Sequence, residues 1–285
     1  MTVSPPQHVI RFYGNIQFAI ESIGFKEITF LHPDKLNDPL DPPFYFITDF
    51  NRDYQTLKDY VQQYHSNDLE RFNDRLPKES WENFVSRIEN YYYENRSNSY
   101  IFSTCGINSE EHPKDSLYMW SHYGYGHRGV AIEFDTTLLT HAVLKGLGIH
   151  GNEPWYEINY RSELPQITCE SIFQFVINAN KYDEDESFNR TELYNTMILT
   201  LSSKSIVWKN EKEWRLILKN DETKLKVLRL GIEDNTVTAL YLGCRIDDHL
   251  KNDLIFETKR KFPNATIYKS KMVKGNFMLE FEPLS

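Results

Sequence analysis

Alternating apolar and polar residues predict a series of short β-strands along the chain. In residues 127–135, for example, Val130, Ile132 and Phe134 alternate with small or charged residues, so one face of that strand is apolar. Segments with this two-residue period are residues 8–13, 27–33 (with a turn), 99–104, 127–135, 213–218, 224–231, 237–243, 265–273 and 277–281. Residues 219–223 have turn chemistry, so we expect the strands on either side of them to pair as a hairpin.

Apolar residues at helical spacing predict helices between these strands. The first covers residues 16–24 and is closed by Gly24. Residues 50–96 contain two more helices, which are split near Pro77. Further helical segments are residues 116–124, 136–143, 164–206 and 247–261.

This order of elements predicts an α+β fold. We expect one domain over residues 1–285, with a mixed or split antiparallel β-sheet as its core. Helical insertions are expected at about residues 50–98 and 164–206, packed on that core.

Composition narrows the class of protein. No apolar run reaches the roughly 18 residues that a membrane helix needs, so we expect no membrane partner. The start of the chain lacks a basic segment followed by an apolar one, and the three cysteines are scattered, so we expect a reduced, cytoplasmic location. The net charge of -9 argues against a general DNA binder, which needs Lys and Arg to neutralise phosphates.

Arg11 is a candidate for binding an anion. The two-residue period places it on the same strand face as Val9 and Tyr13. An arginine among apolar residues has to reach water, a carboxylate or a phosphate, because burying its charge without a partner is costly. A solvent-facing or structurally paired arginine is the alternative.

Residues 116–135 contain a dense group of polar and aromatic side chains. A histidine side chain ordinarily gains and loses its proton near neutral pH, so His122 and His127 are candidates for general acid or base. A structural hydrogen-bond network is the alternative. Two imidazoles five residues apart do not share a helical face, so we assign no metal ligands here.

Glu211, Glu213 and Arg215 lie two residues apart, so we expect them on one face of a strand, with Trp214 on the other. Two carboxylates and a guanidinium are costly to bury unless they pair. In a cleft, they form an acid–base site or a site that stabilises a cation. A solvated strand face is the alternative.

We expect the two polar groups to meet in space, since neither has partners within its own segment. Trp120, His122 and Tyr123 are therefore predicted to lie beside residues 211–215. The Asn-Asp-Pro turn at residues 37–39 is expected to be structural or to form a cleft rim, because its aspartate can accept backbone N–H groups.

The chain resembles a bacterial family known as domain of unknown function 2971 (DUF2971) over nearly its whole length. The matching segments are IRFYG (10–14), LNDPLD (36–41), MWSHYGYGHRGVAIEFD (119–135), WKNEKEWRLIL (208–218) and YLGCRI (241–246). Membership of this family implies no established reaction.

The opening of the chain is also similar, at the level of fold, to ADP-ribosyltransferases. Both have a strand with a basic residue, a helix, a second strand and then a turn, here Asn-Asp-Pro. The resemblance implies NAD as a co-substrate, held by Arg11 at its ribose or phosphate. It also implies that Ser103 and Tyr123 pack the nicotinamide, and that Glu213 stabilises an oxocarbenium-like cation while Glu211 orients the nucleophile.

The predicted site residues are Glu213, Glu211 and His122 for catalysis, and Arg11, Tyr13, Ser103, Trp120, Tyr123 and Arg215 for binding NAD. Of these, Glu213 is expected to matter most for any activity.

The leading functional hypothesis is an NAD-consuming effector, either an ADP-ribosyltransferase or an NAD glycohydrolase, acting as a toxin or in phage defence. Its partners are NAD and a macromolecular acceptor or partner protein that the sequence does not identify. The first alternative is a catalytically silent binding or sensor module, in which Glu213 and Arg215 are paired and buried and there is no cleft. The second alternative is a metal-dependent nuclease or hydrolase. Its residues would be His122, His127, Glu133 and Asp135.

Overall fold

The computed structural model describes residues 4–38, 40–41, 54–107, 112–148, 155–166, 168–178, 197–220 and 225–284. Several helices pack on a mixed, mostly antiparallel β-sheet, so the predicted α+β class is confirmed.

The strands and helices follow one another along the whole described chain. The strands are β1 (His8–Tyr13), β2 (Glu27–Leu31), β3 (Ser99–Gly106), β4 (Val130–Asp135), β5 (Trp155–Glu157), β6 (Asn159–Arg161), β7 (Ser203–Ser205), β8 (Glu213–Lys219), β9 (Val227–Gly231), β10 (Val237–Leu242), β11 (Thr266–Met272) and β12 (Leu279–Pro283). The α-helices are α1 (Ile16–Phe25), α2 (Tyr54–Tyr64), α3 (Leu69–Arg75), α4 (Trp81–Ser97), α5 (Leu117–His122), α6 (Thr136–Leu147), α7 (Cys169–Asn178) and α8 (Asp248–Lys261). Residues 197–201 are also helical.

The central sheet has the strand order β12-β11-β10-β4-β1-β3-β2-β9, with β8 paired to β3 and β5 paired to β8. The strands β10 and β11 are parallel and are joined by α8, as the pattern of the last segments predicts. The other pairs of this sheet are antiparallel. β6 and β7 form a separate parallel pair.

The predicted hairpin between residues 213–218 and 224–231 is wrong. β8 pairs with β3 and β5, whereas β9 pairs with β2 from Glu27↔Gly231 to Leu31↔Val227. Six successive residues of β8 are buried, which suits a strand inside the sheet rather than one arm of a hairpin at its edge. Residues 221–224 of the expected turn lie outside the described residues.

The strands β1 and β2 both meet β3 and then separate from it. β1 is in register with β3 at Val9↔Gly106 and Ile10↔Cys105, and β2 meets the other end of β3 at Leu31↔Ile101. Between these contacts, residues 102–104 of β3 have no ladder partner on β1 or β2 within the described strands. We call this opening between β1, β2 and the middle of β3 the fork.

Three groups of buried apolar side chains hold the elements together. The largest lies on one sheet face, where Val9 and Phe102 pack with residues of α1, α6 and α8. A second joins α2, α3, α4 and α7 to Ile101 and Ile217 of the sheet. The third includes Ile10 and covers the opposite side of β1 and β4.

The helix α1 ends one residue later than predicted. Lys26, not Gly24, has the left-handed backbone (φ 54°) that closes the helix, and its N–H bonds to the Ile23 carbonyl. A glycine favours such a position but is not required when capping bonds and packing hold another residue there.

In the helical segment predicted at residues 50–96, the described part from residue 54 onward contains three α-helices rather than two. The break near Pro77 is confirmed, and residues 65–68 form a further break between α2 and α3. Within the segment predicted as helical at residues 164–206, residues 203–205 form a short strand.

Candidate functional site

A cavity of about 860 Å³ opens at the fork. It is lined by Arg11 and Tyr13 of β1, by Ser103 of β3, and by His122 and Tyr123 at the end of α5. Glu211 and Glu213 also line it, so seven of the predicted site residues face one cavity. Its volume falls within the range of about 300–1,000 Å³ that is typical of small-molecule sites.

A buried network of charged side chains forms one wall of the cavity. Lys204 Nζ lies 2.6 Å from Glu211 Oε2, 2.9 Å from Glu213 Oε2 and 3.1 Å from Asp41 Oδ2. Arg215 Nε donates to Glu213 Oε1 at 2.7 Å, and an Arg215 terminal nitrogen lies 2.5 Å from Asp41 Oδ1. All five side chains are at most 7% exposed.

The charges of this network do not cancel. It contains three carboxylates and two cations, which gives a net charge of -1 when all are ionised. Lys204 contacts all three carboxylates, whereas Arg215 bonds to Asp41 and Glu213. The excess negative charge therefore falls nearest Glu211.

The two glutamates have different electrostatic surroundings. Burial acts to raise the pKa of Glu213, but Arg215 and Lys204 outweigh it and hold that pKa well below its ordinary value. Burial raises the pKa of Glu211, although Lys204 and a hydrogen bond from Tyr123 oppose this. Glu213 is thus held as a carboxylate, while Glu211 is the one shifted toward accepting a proton.

Two residues at the end of α5 line the cavity, and one of them contacts this network. The Tyr123 hydroxyl donates to Glu211 Oε1 at 2.5 Å. The His122 ring is exposed and lies edge-on to Trp208, with 6.5 Å between ring centroids. The helix α5 begins at Ser116, whose side chain accepts from the Met119 N–H and so fixes the start of the helix.

The Asn-Asp-Pro turn supplies a rim residue, and the segment directly after it supplies a member of the network. Asp38 Oδ1 accepts from the Leu40 N–H at 2.9 Å, which is the predicted turn bond, and its other oxygen accepts from Trp208 Nε1 at 3.0 Å. Asp38 lines the cavity, and Asp41 follows it into the ion-pair network. Pro39 lies outside the described residues.

Arg11 lines the cavity and has a buried donor without a partner among the described residues. Its guanidinium carbon lies 4.5 Å from the centre of the Phe102 ring and 5.5 Å from that of Tyr13. Its terminal nitrogen Nη1 is buried and has no hydrogen-bond partner among the described residues. A buried N–H of this kind costs free energy unless a ligand or water accepts from it, so Arg11 is suited to bind an anion.

One stripe of α1 forms an aromatic rim on the cavity. Phe18, Glu21, Ser22 and Phe25 lie at helical spacing and all line it. Phe18 is 60% exposed and Phe25 is 66% exposed. Two large rings exposed on the rim of one cavity are suited to pack against a planar part of a ligand.

Two predicted binding residues do not reach the cavity. Trp120 is fully buried in the third apolar group, where it packs edge-on to Phe12 at 5.2 Å. Arg215 is also fully buried, with its donors directed to Glu213, Asp41 and the Leu201 carbonyl. Core packing and the ion pairs already use both side chains, so a ligand contact by either residue stays a prediction that the cavity lining does not support.

The expected strand face of Glu211, Glu213 and Arg215 is only partly present. β8 starts at Glu213, and Glu211 is the last residue of a 3-10 helix (Ile206–Glu211). Lys212, with φ 49°, makes the bend between them. Glu211 reaches the same network because Lys204 bridges it to Glu213.

Lys204 and Asp41 were not among the predicted site residues, and they join the network from distant parts of the chain. Lys204 follows a helical segment, and Asp41 lies in a proline-rich turn. The sequence contains one signal for a missing cation such as Lys204. Glu211 and Glu213 outnumber Arg215, and a buried cluster of these three side chains needs a further cation.

The residues of the metal-dependent alternative do not converge. His127 stacks on Trp120, with 6.1 Å between ring centroids, and Asp135 caps α6 through the Leu138 N–H. Glu133 bonds instead to Tyr241 at 2.7 Å and to other neighbours on its own side of the sheet. Among the described residues, no three His, Cys, Asp or Glu side chains are grouped so that they could hold a metal ion.

The loop between α5 and β4 has the spacing G-x-G-x-x-G at residues 124–129. Here it follows a helix and precedes a strand, which is the reverse of the dinucleotide-binding arrangement. The last glycine has a packing role, because a Cβ on Gly129 would lie 2.3 Å from the Tyr13 carbonyl oxygen. The spacing therefore carries no evidence for a dinucleotide site.

Comparison with known proteins gives one match. A family model described as a protein of unknown function (DUF2971) matches residues 119–216, about a third of the chain. The matched region contains Tyr123, Lys204, Glu211 and Glu213, whereas Arg11 lies outside it. Neither the curated proteins nor the solved structures gave a match. The resemblance to ADP-ribosyltransferases therefore stays a prediction.

A helix that crosses a bilayer has to be both long and apolar. No helix in the described part of the chain meets both requirements.

Proposed function

We propose that the chain breaks the bond between nicotinamide and ribose in NAD, and that the fork cavity is its active site. One observation carries this proposal: Glu211, at the negative end of the buried network, lines the same cavity as Arg11 with its unpaired N–H. The cavity therefore offers a carboxylate for a developing cation and a guanidinium for a phosphate.

In this proposal the C–N bond at the ribose breaks, and its electron pair leaves with the nicotinamide nitrogen. A new bond forms from the same carbon to water or to an acceptor nucleophile, whose proton passes to Glu211. The negative charge near Glu211 stabilises the oxocarbenium-like transition state. The upward shift of the Glu211 pKa favours the proton transfer.

The structure changes the division of roles that the sequence suggests. Both oxygens of Glu213 are bonded to cations, at 2.7 Å from Arg215 and 2.9 Å from Lys204. We therefore assign the acid–base role to Glu211, and we assign to Glu213 the positioning of Lys204. His122 is exposed at the same cavity, and we assign to it a place beside the acceptor nucleophile.

Consumption of NAD would make the chain an effector, either a toxin or a phage-defence protein. Expression in a bacterial host should then lower the cellular NAD concentration. Host cells that keep their NAD while making folded protein would contradict this role.

A catalytically silent binding or sensor module is the second candidate. The buried pairing of Glu213 with Arg215 is one of the two features that this alternative predicts, whereas the cavity departs from the other, the absence of a cleft. In that case NAD, or a related nucleotide, binds in the cavity and is recovered unchanged.

The test is to incubate the purified chain with NAD and measure free nicotinamide and bound NAD separately. Arg11→Gln should raise the KM for NAD by about ten- to a hundredfold, the effect of losing a charge-assisted hydrogen bond. Arg128→Gln is the matched control, because Arg128 is exposed and does not line the cavity. Binding without nicotinamide release would support the sensor module, and neither binding nor release would refute both candidates.

A further inference from the structure

The hairpin of β11 and β12 projects beyond the neighbouring strand of the sheet. The pairing of β11 with β10 ends at Leu242↔Lys269, whereas its pairing with β12 continues to Met272↔Leu279. At about 3.3 Å per residue, β11 therefore runs about 10 Å past its last pair with β10 before the chain turns. We call the turn at residues 272–278 the tip.

The tip has a defined backbone. The Asn276 N–H donates to the Val273 carbonyl, and the Val273 N–H donates to the Met278 carbonyl. Gly275, with φ 83°, occupies the left-handed position of this turn. The turn therefore fixes which side chains of the tip face outward.

The outward side chains of the tip are apolar. Phe277 is 97% exposed, Met272 is 73% exposed and Met278 is 61% exposed. No other described large hydrophobic side chain is as exposed as that of Phe277. Three such side chains within one short turn form an apolar patch of the kind that marks a contact with a partner.

The charge beside this patch is positive, although the whole chain has a net charge of -9. The strand β11 and the tip contain three lysines and no acidic residue. One of them, Lys271, pairs with Glu280 and Glu282 of β12. The other two, Lys269 and Lys274, are exposed. A partner of this surface therefore combines an apolar region with negative charge.

We propose that the tip inserts into the surface of a bilayer that contains anionic lipids. In this proposal Phe277 and Met278 lie at the level of the acyl chains, and Lys274 reaches the acidic headgroups. A lipid surface accepts a projecting apolar turn without a preformed groove, which a protein partner has to offer. The expectation of no membrane partner rests on the lack of a spanning segment, which such a peripheral contact does not need.

A second copy of the chain fits this edge of the sheet less well. Antiparallel pairing of two β12 strands brings Glu280 and Glu282 of one copy next to those of the other, and like charges opposite each other destabilise a sheet. Pro283 also lacks the N–H that a further ladder bond needs. The edge of β12 is therefore protected against pairing, while the tip beside it stays apolar.

The test is cosedimentation of the full chain with vesicles of phosphatidylcholine alone and with vesicles that also contain phosphatidylserine. The tip variant combines Phe277→Ser with Met278→Ser, and Lys274→Gln tests the charge. Phe256→Ser is the matched control, because Phe256 is 65% exposed on α8 and lies outside the tip. All these side chains are exposed, so each variant should keep the wild-type melting temperature.

We expect the wild-type chain and Phe256→Ser to bind the vesicles with phosphatidylserine, and to bind them less tightly as the salt concentration rises. The tip variant should bind at least about tenfold more weakly, because two apolar side chains no longer leave water. Lys274→Gln should bind about fivefold more weakly, the effect of one lysine near an anionic surface.

Three results would overturn the lipid contact. The first is a wild-type chain that does not bind these vesicles, and the second is a folded tip variant that binds them as tightly as the wild type. The third is a wild-type dimer, seen by sedimentation velocity, that the tip variant dissolves, since this assigns the tip to a second copy. Equal binding to both kinds of vesicle would overturn the requirement for anionic lipid.

The lipid contact does not rest on the proposed cleavage of NAD, because no tip residue lines the fork cavity. Vesicle binding by a chain that leaves NAD intact would support the lipid contact and remove the enzyme. Cleavage of NAD by a chain that binds no vesicles would leave the enzyme and overturn the lipid contact.

Discussion

Replacing Glu213 by Gln should destabilise the fold through the buried ion-pair network. Glu213 is 4% exposed and bonds to Arg215 at 2.7 Å and to Lys204 at 2.9 Å. Gln keeps the shape but turns an amide N–H₂ toward two cationic donors. Removing one partner of a buried ion pair costs about 3–5 kcal/mol, and we expect about 3 kcal/mol because Asp41 still contacts both cations.

The assay is thermal and urea unfolding of the wild-type chain, Glu213→Gln and the control Glu282→Gln. At about 2–4 °C per kcal/mol for a chain of this size class, the melting temperature of Glu213→Gln should fall by about 6 °C or more. Glu282 is exposed at the edge strand, paired with Lys271, so its variant should melt within about a degree of wild type.

The pH dependence gives a second readout. The pKa of Glu213 is lower in the folded chain than its ordinary value of 4.5, so its contribution to stability is present above that pH and lost as the pH falls. The unfolding free energy of the wild type should therefore drop more steeply below about pH 5 than that of Glu213→Gln. A variant that melts with the wild type and has the same acid profile would refute the structural role of this pair.

Three other predictions concern the cavity and the opposite side of the sheet. Tyr123→Phe removes a hydrogen bond that stabilises the Glu211 carboxylate, so the limb of the rate–pH profile set by Glu211 should move to higher pH; an unmoved limb would contradict the pairing. Phe18→Ser should weaken NAD binding about tenfold in calorimetry without changing the melting temperature. The control Phe256→Ser, on an exposed part of α8, should bind NAD as tightly as the wild type. Equal affinities of the two variants would show that the aromatic rim is not part of the site. Hydrogen bonds and a nearby histidine hold the pKa of Glu133 at about 2, although burial acts to raise it. Glu133→Gln loses these charge-assisted bonds, so it should lower the free energy of unfolding in urea by about 2 kcal/mol. Unchanged stability would show that the bonds are dispensable.

Local periodicity predicts much of this fold because each strand or helix buries one face. The two-residue period in residues 130–135 and the strand–helix–strand order of residues 237–272 both correspond to observed elements. The position of Arg11 on a mostly apolar strand likewise indicated a side chain that needs a polar partner, and Arg11 lines the cavity with its Nη1 buried and unpaired among the described residues.

The local pattern does not show which strand, or which charged residue, each segment pairs with. The alternation in residues 227–231 identifies a strand but not that it pairs with β2 rather than β8. The same limit applies to the charged network, in which Asp41 meets Arg215 across 174 residues of chain. The pattern also could not show that both oxygens of Glu213 bond to cations and that Glu211 differs from it, because the second cation, Lys204, lies outside the strand.

The most direct test of the central claim is nicotinamide release from NAD by the wild-type chain and by Glu211→Gln, each measured per mole of folded protein. We expect release by the wild type and a loss of about a hundredfold or more in the variant, as when one strong electrostatic contact to a transition state is removed. Glu282→Gln should keep the wild-type rate. A wild-type chain that leaves NAD intact, or a folded Glu211→Gln variant that releases nicotinamide at the wild-type rate, would contradict the assignment.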